Sequence, residues 1–421
     1  MINKLLNKKL IIIFIVLLFF ILNKRIYDRK IFDISNKITN ETILFEELKK
    51  FSNKTKKTDI IFADLYTSKS CCDKNAYYLF EYYIKNQIDK PYYIINNESD
   101  LYKYLLNLKK TNNLILYNEN NKIEFLKNIF IYLRNTKILI TSYSTQFLQL
   151  IASYIPYINY LRINHGIKHF KPIFAKIDFL NSLGNKKNVI CSSPYEYKLL
   201  TKDYNYSYNN IYNAGLARYD RFQFIKNNIS EKKCILTSFT WRSYNEKFFN
   251  NSEYKKNLLE FLNDRELIFF LKERKIDLIY IPHHVELTFG KNYSKNNYQY
   301  AQIKKQIELE HFIEHCSLYI TDYSSLSFDF MFQNKPVLFY KIDNIQFIKD
   351  KENDTLFFGN YFHKKKDLID KIKYYVNNSF HISSDLKKKY ESIFFYKNNI
   401  IEKIVEIIDS IVKGKRNQIS L

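Results

Sequence analysis

From Thr58 onward the chain alternates short, strongly apolar runs with longer stretches in which apolar residues recur every three to four positions. The short runs are TDIIFADLY (58–66), PYYIINN (91–97), NNLILYN (112–118), KILITS (137–142), NYLRINHG (159–166) and NVICSS (188–193). Between them, helical patterns begin at Asp73 and Asp100 and continue as KIEFLKNIFIYLR (122–134), TQFLQLIASYI (145–155) and PYEYKLL (194–200). A strand covered on both faces reads as a nearly continuous apolar run, whereas a helix needs only one apolar stripe. The alternation therefore predicts βα units and a parallel sheet. A second series follows: KKCILTSFT (232–240), a long helical stretch through Lys272, DLIYIPHH (277–284), a helix around Glu308 to His315, SLYITDYSS (317–325) and PVLFYKI (336–342). KKKDLIDKIKYYV (364–376) and IIEKIVEIIDSIV (400–412) close the chain as helices. The expected class is α/β, with two Rossmann-like doubly wound domains at 58–228 and 229–421. Open α/β sheets bind ligands beyond the carboxyl ends of their strands, so the strand ends facing a cleft between the two domains are where chemistry is expected.

The first residues follow another pattern. Leu10 to Leu22 is an unbroken apolar run of 13 residues, with Lys8 and Lys9 before it and Lys24 and Arg25 after it. At 1.5 Å per residue it covers roughly 20 Å, short of a bilayer core of about 30 Å. No small-residue cleavage site follows, since the first Ala is Ala63, so an uncleaved anchor at 1–26 is expected rather than a signal peptide. Counted from Leu5, with the flanking lysines reaching for the headgroups, the segment just spans; otherwise it dips into one leaflet. Residues 27–57 are polar and charged and read as a stalk or linker.

Composition adjusts this picture in three places. Lys and Arg number 66 against 43 Asp and Glu, a formal charge of +23. The lysines are spread along the chain, which describes a solvated surface rather than a nucleic-acid groove, and no nucleic-acid partner is expected. Five cysteines, among them the adjacent pair Cys71 and Cys72, show no metal-ligand spacing, and their odd count suits a reducing compartment. With only 6 glycines, each one marks a place where the backbone needs it.

The candidate chemistry lies at strand ends. In SLYITDYSSLSFDF, a strand runs into a helix start with Ser324 and Ser325 at the turn, either as donors to a phosphate or as a plain helix cap. His165 follows a strand beside Gly166 and is placed to act as a general base; a packing role is the other reading. His283 and His284 end a strand of the second series. A metal site competes there, because His169 follows His165 by four and Glu286 follows His284 by two. HxH and HExxH are both absent, and no metal is expected. The only Trp, Trp241, precedes Arg242 after another strand and suits either nucleotide stacking or domain packing. Arg218, three residues after Gly215, is either a phosphate clamp or half of a domain-joining ion pair.

Taken in order, these segments resemble the CDP-glycerol glycerophosphotransferase family, enzymes that prime and polymerise the poly(glycerol phosphate) chains of teichoic acids. The family's HG resembles His165-Gly166, its G-x-P-R-x-D resembles Gly215 to Asp220, and its P-T-W-R resembles Phe239 to Arg242. Its K-x-H-P or R-x-H resembles Ile281 to His284, and its S-D-Y-S-S motif through a later Pro resembles Thr321 to Pro336. Departures are Asn164 for an aromatic residue, a shortened Ile167-Lys168, Ala217 and Phe239 for prolines, and Ile281 for a basic residue. The resemblance implies a GT-B-like fold with an acceptor-side first domain and a donor-binding second domain. It also implies transfer of glycerol phosphate, or a related polyol phosphate, from a CDP-activated donor to a lipid-linked or polysaccharide acceptor, with CMP released. His165 is then the base and His283 the group that stabilises the phosphate under attack. Gly166, Ile167, Lys168, Arg218, Thr240, Trp241, Arg242, His284, Ser324, Ser325 and Asp329 hold the donor, with CDP-glycerol as substrate and no certain cofactor. A cytosolic donor implies a catalytic body on the cytoplasmic side of the inner membrane. A nucleotide-sugar glycosyltransferase of the same fold and a catalytically degenerate nucleotide-binding scaffold are the alternatives.

Overall fold

The computed structural model describes residues 60–64, 74–118, 129, 132–133, 135–142, 158–168, 187–202, 204, 206–224, 233–240, 242, 252–283, 300–304, 308–344, 358 and 360–414. The apolar run at Leu10 to Leu22 and the stalk lie outside them. Among the described residues no helix is long and apolar enough to cross a membrane.

Seven strands form the first sheet: β1 (Ile60–Ala63), β2 (Pro91–Asn96), β3 (Leu114–Tyr117), β4 (Ile138–Thr141), β5 (Asn159–Arg162), β6 (Lys187–Cys191) and β7 (Ile211–Asn213). Their order is β3-β2-β1-β4-β5-β6-β7, and every pairing is parallel. The second sheet holds β8 (Cys234–Thr237), β9 (Asp277–Tyr280), β10 (Gln302–Ile303), β11 (Leu318–Thr321), β12 (Val337–Tyr340) and β13 (Tyr361–Phe362). Its order, β10-β9-β8-β11-β12-β13, is again parallel throughout. Strands β1, β4, β6, β8, β11 and β12 are buried along their whole length, which explains why they read as continuous apolar runs. Each sheet reverses its winding direction once, between β1 and β4 and between β8 and β11, and these are the crevices where doubly wound sheets bind ligands. The alternation does not show β7, β10 or β13, which have two or three residues each and are too short to carry a pattern.

The described helices are α1 (Asn75–Lys85), α2 (Asp100–Asn107), α3 (Pro194–Lys202), α4 (Arg221–Phe224), α5 (Glu253–Leu262), α6 (Arg265–Glu273), α7 (Leu309–His315), α8 (Ser327–Phe332), α9 (Lys365–Asn377), α10 (Ser384–Glu391) and α11 (Ile400–Val412). The stretch read as one helix through Lys272 is broken between α5 and α6. Asp264 there turns extended, and its carboxylate accepts the Leu267 N–H at 3.1 Å, so a new N-cap competes with continuing the helix. The last helix, α11, does not stay with the second sheet. The Asp220 carboxylate accepts the N–H groups of Ile400 at 3.0 Å and Ile401 at 2.7 Å, and a Cβ on Gly215 would lie 2.9 Å from Ile400.

An aromatic seam joins the two halves. Tyr219 stacks on Phe332 with ring centroids 4.3 Å apart, and Phe394 meets both rings edge-on. Two of the five cysteines meet at this sheet. Cys234 at the start of β8 and Cys316 just before β11 form a disulfide, with Cα atoms 4.6 Å apart. Their separation of 82 residues hides a neighbourhood that the parallel pairing of β8 and β11 creates.

Candidate functional site

The loop after β5 carries His165. The chain leaves the strand at Arg162 and reverses at Asn164, whose φ of 44° is left-handed, a conformation Asn tolerates better than most residues. Asn164 is held through its side-chain NH2 and its carbonyl. Its Nδ2 donates to the Ile190 carbonyl at 3.2 Å and to Glu196 Oε1 at 3.1 Å, while its carbonyl accepts from Asn75 Nδ2 at 3.2 Å. His165 follows, half-buried, its carbonyl accepting Arg218 Nη1 at 2.8 Å. At Gly166 a Cβ would fall 2.7 Å from Ser325 Oγ and 3.1 Å from its Cβ, so a side chain there would force Ser325 to move. The histidine loop of the first sheet and the serine turn of the second are therefore in contact.

Several residues expected on the donor have partners within the protein. Arg218 makes a two-point pair with Asp329, at 2.6 and 2.9 Å, and both residues are buried. Of the two readings open for Arg218, the structure shows the domain-joining ion pair, with Asp329 as its counter-charge. Arg242 is likewise engaged within the protein. Its guanidinium bonds Asp343 at 2.7 and 2.9 Å, Asp322 at 2.9 Å and the Thr240 carbonyl at 2.6 Å, and only 2% of the residue is exposed. Burial works against this charge, yet the two carboxylates hold it above the ordinary guanidinium value. Ile167 packs into the apolar core, so its side chain offers nothing to a donor. Lys168 gives its N–H to Glu196 Oε1 at 3.2 Å and lays its ammonium over the Tyr204 ring, 4.1 Å from the centroid. Burial pushes that ammonium well below its ordinary value, with Arg162 acting the same way and Glu196 opposing.

The rim of the second sheet holds the remaining candidates. After β8, the Thr240 N–H donates to Asp322 Oδ1 at 2.8 Å, bridging the β8–β11 crevice. The hydroxyls of Thr237 and Thr240 are buried there without a hydrogen-bond partner among the described residues. His283, half-buried, follows β9 on the same rim, separated from β11 by β8. Ser324 Oγ accepts the Leu326 N–H at 3.3 Å, and the Ser324 carbonyl accepts both the N–H and the hydroxyl of Ser327. Ser324 thus shapes the turn into α8, and with six residues that helix carries little macrodipole. Trp241 and His284 lie outside the described residues.

Four residues that shape the site went unnamed in the sequence: Asn75, Glu196, Asp322 and Asp343. Asn75 also accepts the Arg218 N–H through Oδ1 at 3.0 Å. Only Glu196 carried a signal, because Ser193-x-x-Glu196 opening a helical run has the spacing of a capping box. The two aspartates sit 80 and 101 positions from Arg242, beyond any local pattern.

Comparison with known proteins matches this arrangement. The minor teichoic acid biosynthesis protein GgaB of Bacillus subtilis (strain 168) is 27% identical over 368 residues, covering 80% of this chain and 38% of that protein. The chain therefore spans well under half the length of that relative. A solved structure of the wall teichoic acid polymerase TagF superposes with a TM-score of 0.54 at 14% identity, covering 86% of this chain and 90% of that one. The UDP-GlcNAc 2-epimerase of Methanocaldococcus jannaschii does so with a TM-score of 0.53 at 14% identity, covering 84% and 99%. At such identities the two structures establish a shared fold. The family profile described as CDP-Glycerol:Poly(glycerophosphate) glycerophosphotransferase matches residues 45–409, and the chain belongs to that family.

Proposed function

We propose that this protein transfers glycerol phosphate from a CDP-activated donor to a hydroxyl of a cell-surface polymer or lipid-linked acceptor and releases CMP. The observation that carries the reading is the packing of Gly166 against Ser325, which sets the His165 loop of one sheet on the serine turn of the other. In this reading His165 takes the proton of the acceptor hydroxyl. The acceptor oxygen bonds to the phosphorus that bears glycerol, and that phosphorus gives up the bridging oxygen to departing CMP. His283 faces the charge that builds on the phosphoryl oxygens. The buried hydroxyls of Thr237 and Thr240, without a partner among the described residues, are the donors this reading gives to phosphate oxygens, because unpartnered donors are rare in folded proteins. Phosphoryl transfer asks chiefly for positioning and charge stabilisation, which two imidazoles and fixed hydroxyls supply without a covalent intermediate. Membership of the family and a relative named for teichoic acid biosynthesis support the same chemistry.

The experiment is donor-dependent nucleotide release by the full-length chain, offered CDP-glycerol, CDP-ribitol and a panel of nucleotide sugars with a glycerol-phosphate-primed acceptor. CMP release that requires both CDP-glycerol and acceptor is expected. Turnover of a nucleotide sugar alone, or nucleotide binding with no turnover of any donor, overturns the proposal.

A further inference from the structure

We propose that Glu196, besides capping its own helix, is the positioning residue that holds the His165 loop in its working shape. The inference rests on the role given to His165 above. Glu196 is fully buried, and its two carboxylate oxygens serve different tasks. Oε2 accepts the Ser192 N–H at 2.9 Å, while Glu196 gives its own N–H to Ser193 Oγ at 3.0 Å; together these cap α3. Oε1 is turned the other way. It accepts Asn164 Nδ2 at 3.1 Å and the Lys168 N–H at 3.2 Å, donors 32 and 28 positions earlier in the chain. One oxygen thus clasps the residue before His165 and the residue that closes the loop, with His165, Gly166 and Ile167 between them. Capping explains Oε2; it does not call for Oε1 to reach another loop.

The carboxylate suits this task because it is acceptor-only and faces three donors. Burial raises its pKa against the opposing pull of Ser192, Lys168 and Arg162, and it is the three N–H donors around the carboxylate that mark it as an acceptor. With no exposure to solvent, water cannot take its place. Asn164 needs the clasp, since it holds a left-handed conformation with its side chain anchored on Glu196 and Ile190. When the clasp is lost, the turn that aims His165 relaxes.

Glu196→Ala removes both carboxylate oxygens, the acceptor of the loop and that of the cap, whereas Ser193→Ala weakens the cap alone. In the full-length chain, measured well below its thermal midpoint, Glu196→Ala is expected to lower kcat for CMP release by about 10²-fold, the cost of a small misplacement at a reacting centre, with donor KM changed less than about twofold. Hydrogen exchange of the amides at 163–168 should accelerate in Glu196→Ala and stay unchanged in Ser193→Ala. The latter is expected to lower the thermal midpoint and leave kcat alone. If both variants lower only the thermal midpoint, with faster exchange confined to 194–202, Glu196 is merely a cap and the proposal fails. If the wild-type chain releases no CMP from CDP-glycerol, the proposed function fails, and the exchange contrast still decides what Glu196 holds.

Discussion

At the scale of single residues, Asn164 has the largest consequence for its size. Most side chains resist a φ of 44°, and Asn164 adopts it with its amide bonded to Ile190 and Glu196. The position of His165 at a strand end was legible in the sequence because a histidine beside a scarce glycine after an apolar run is a local pattern. The partners of Arg242 were hidden for the opposite reason: an arginine after a tryptophan at a strand end gives no local sign of Asp322 and Asp343, which reach it from beyond the ends of β11 and β12. His165→Ala removes a half-buried ring whose described backbone contact uses its carbonyl, so the fold should survive. CMP release is expected to fall by about 10² to 10⁴-fold, the usual contribution of a general base, with little change in thermal midpoint. Turnover within a few-fold of wild type would remove His165 from the mechanism.

At the scale of elements, the fully buried strands were plain in the sequence and the helix ends were not. A helix end depends on one capping residue, and that residue is sometimes far away. For α6 the cap is local, at Asp264. For α11 it is distant: Asn399 at the N-cap position makes no side-chain bond to the helix, and Asp220 reaches its first N–H groups from 180 positions upstream. Asp220→Ala should destabilise the folded chain by about 1–2 kcal/mol, the usual cost of losing a cap. The loss should appear as a lower denaturant midpoint with an unchanged slope. A midpoint equal to wild type would mean that α11 docks through its apolar face alone.

At the scale of the whole molecule, function is proposed at the seam, where Gly166 meets Ser325, Tyr219 stacks on Phe332 and Arg218 pairs with Asp329. Asp329→Ala would leave the Arg218 guanidinium buried without its counter-charge, which costs about 3–5 kcal/mol. Because the same guanidinium holds the His165 carbonyl, kcat is expected to fall as well, even far below the thermal midpoint. A variant that is less stable but fully active in CMP release would show that the pair only joins the two halves. The amino-acid sequence alone determined the α/β class, the parallel sheets and the strand ends that carry His165, His283 and the serine turn, because burial on both faces and strand-to-helix punctuation are local properties of a chain. Tertiary structure decided which charged groups remain for a ligand and which are consumed internally, and it decided that α11 returns to the first sheet and that Cys234 meets Cys316. Those outcomes depend on contacts between residues 80 or more positions apart, and no local pattern of apolar and polar residues records which distant groups will meet.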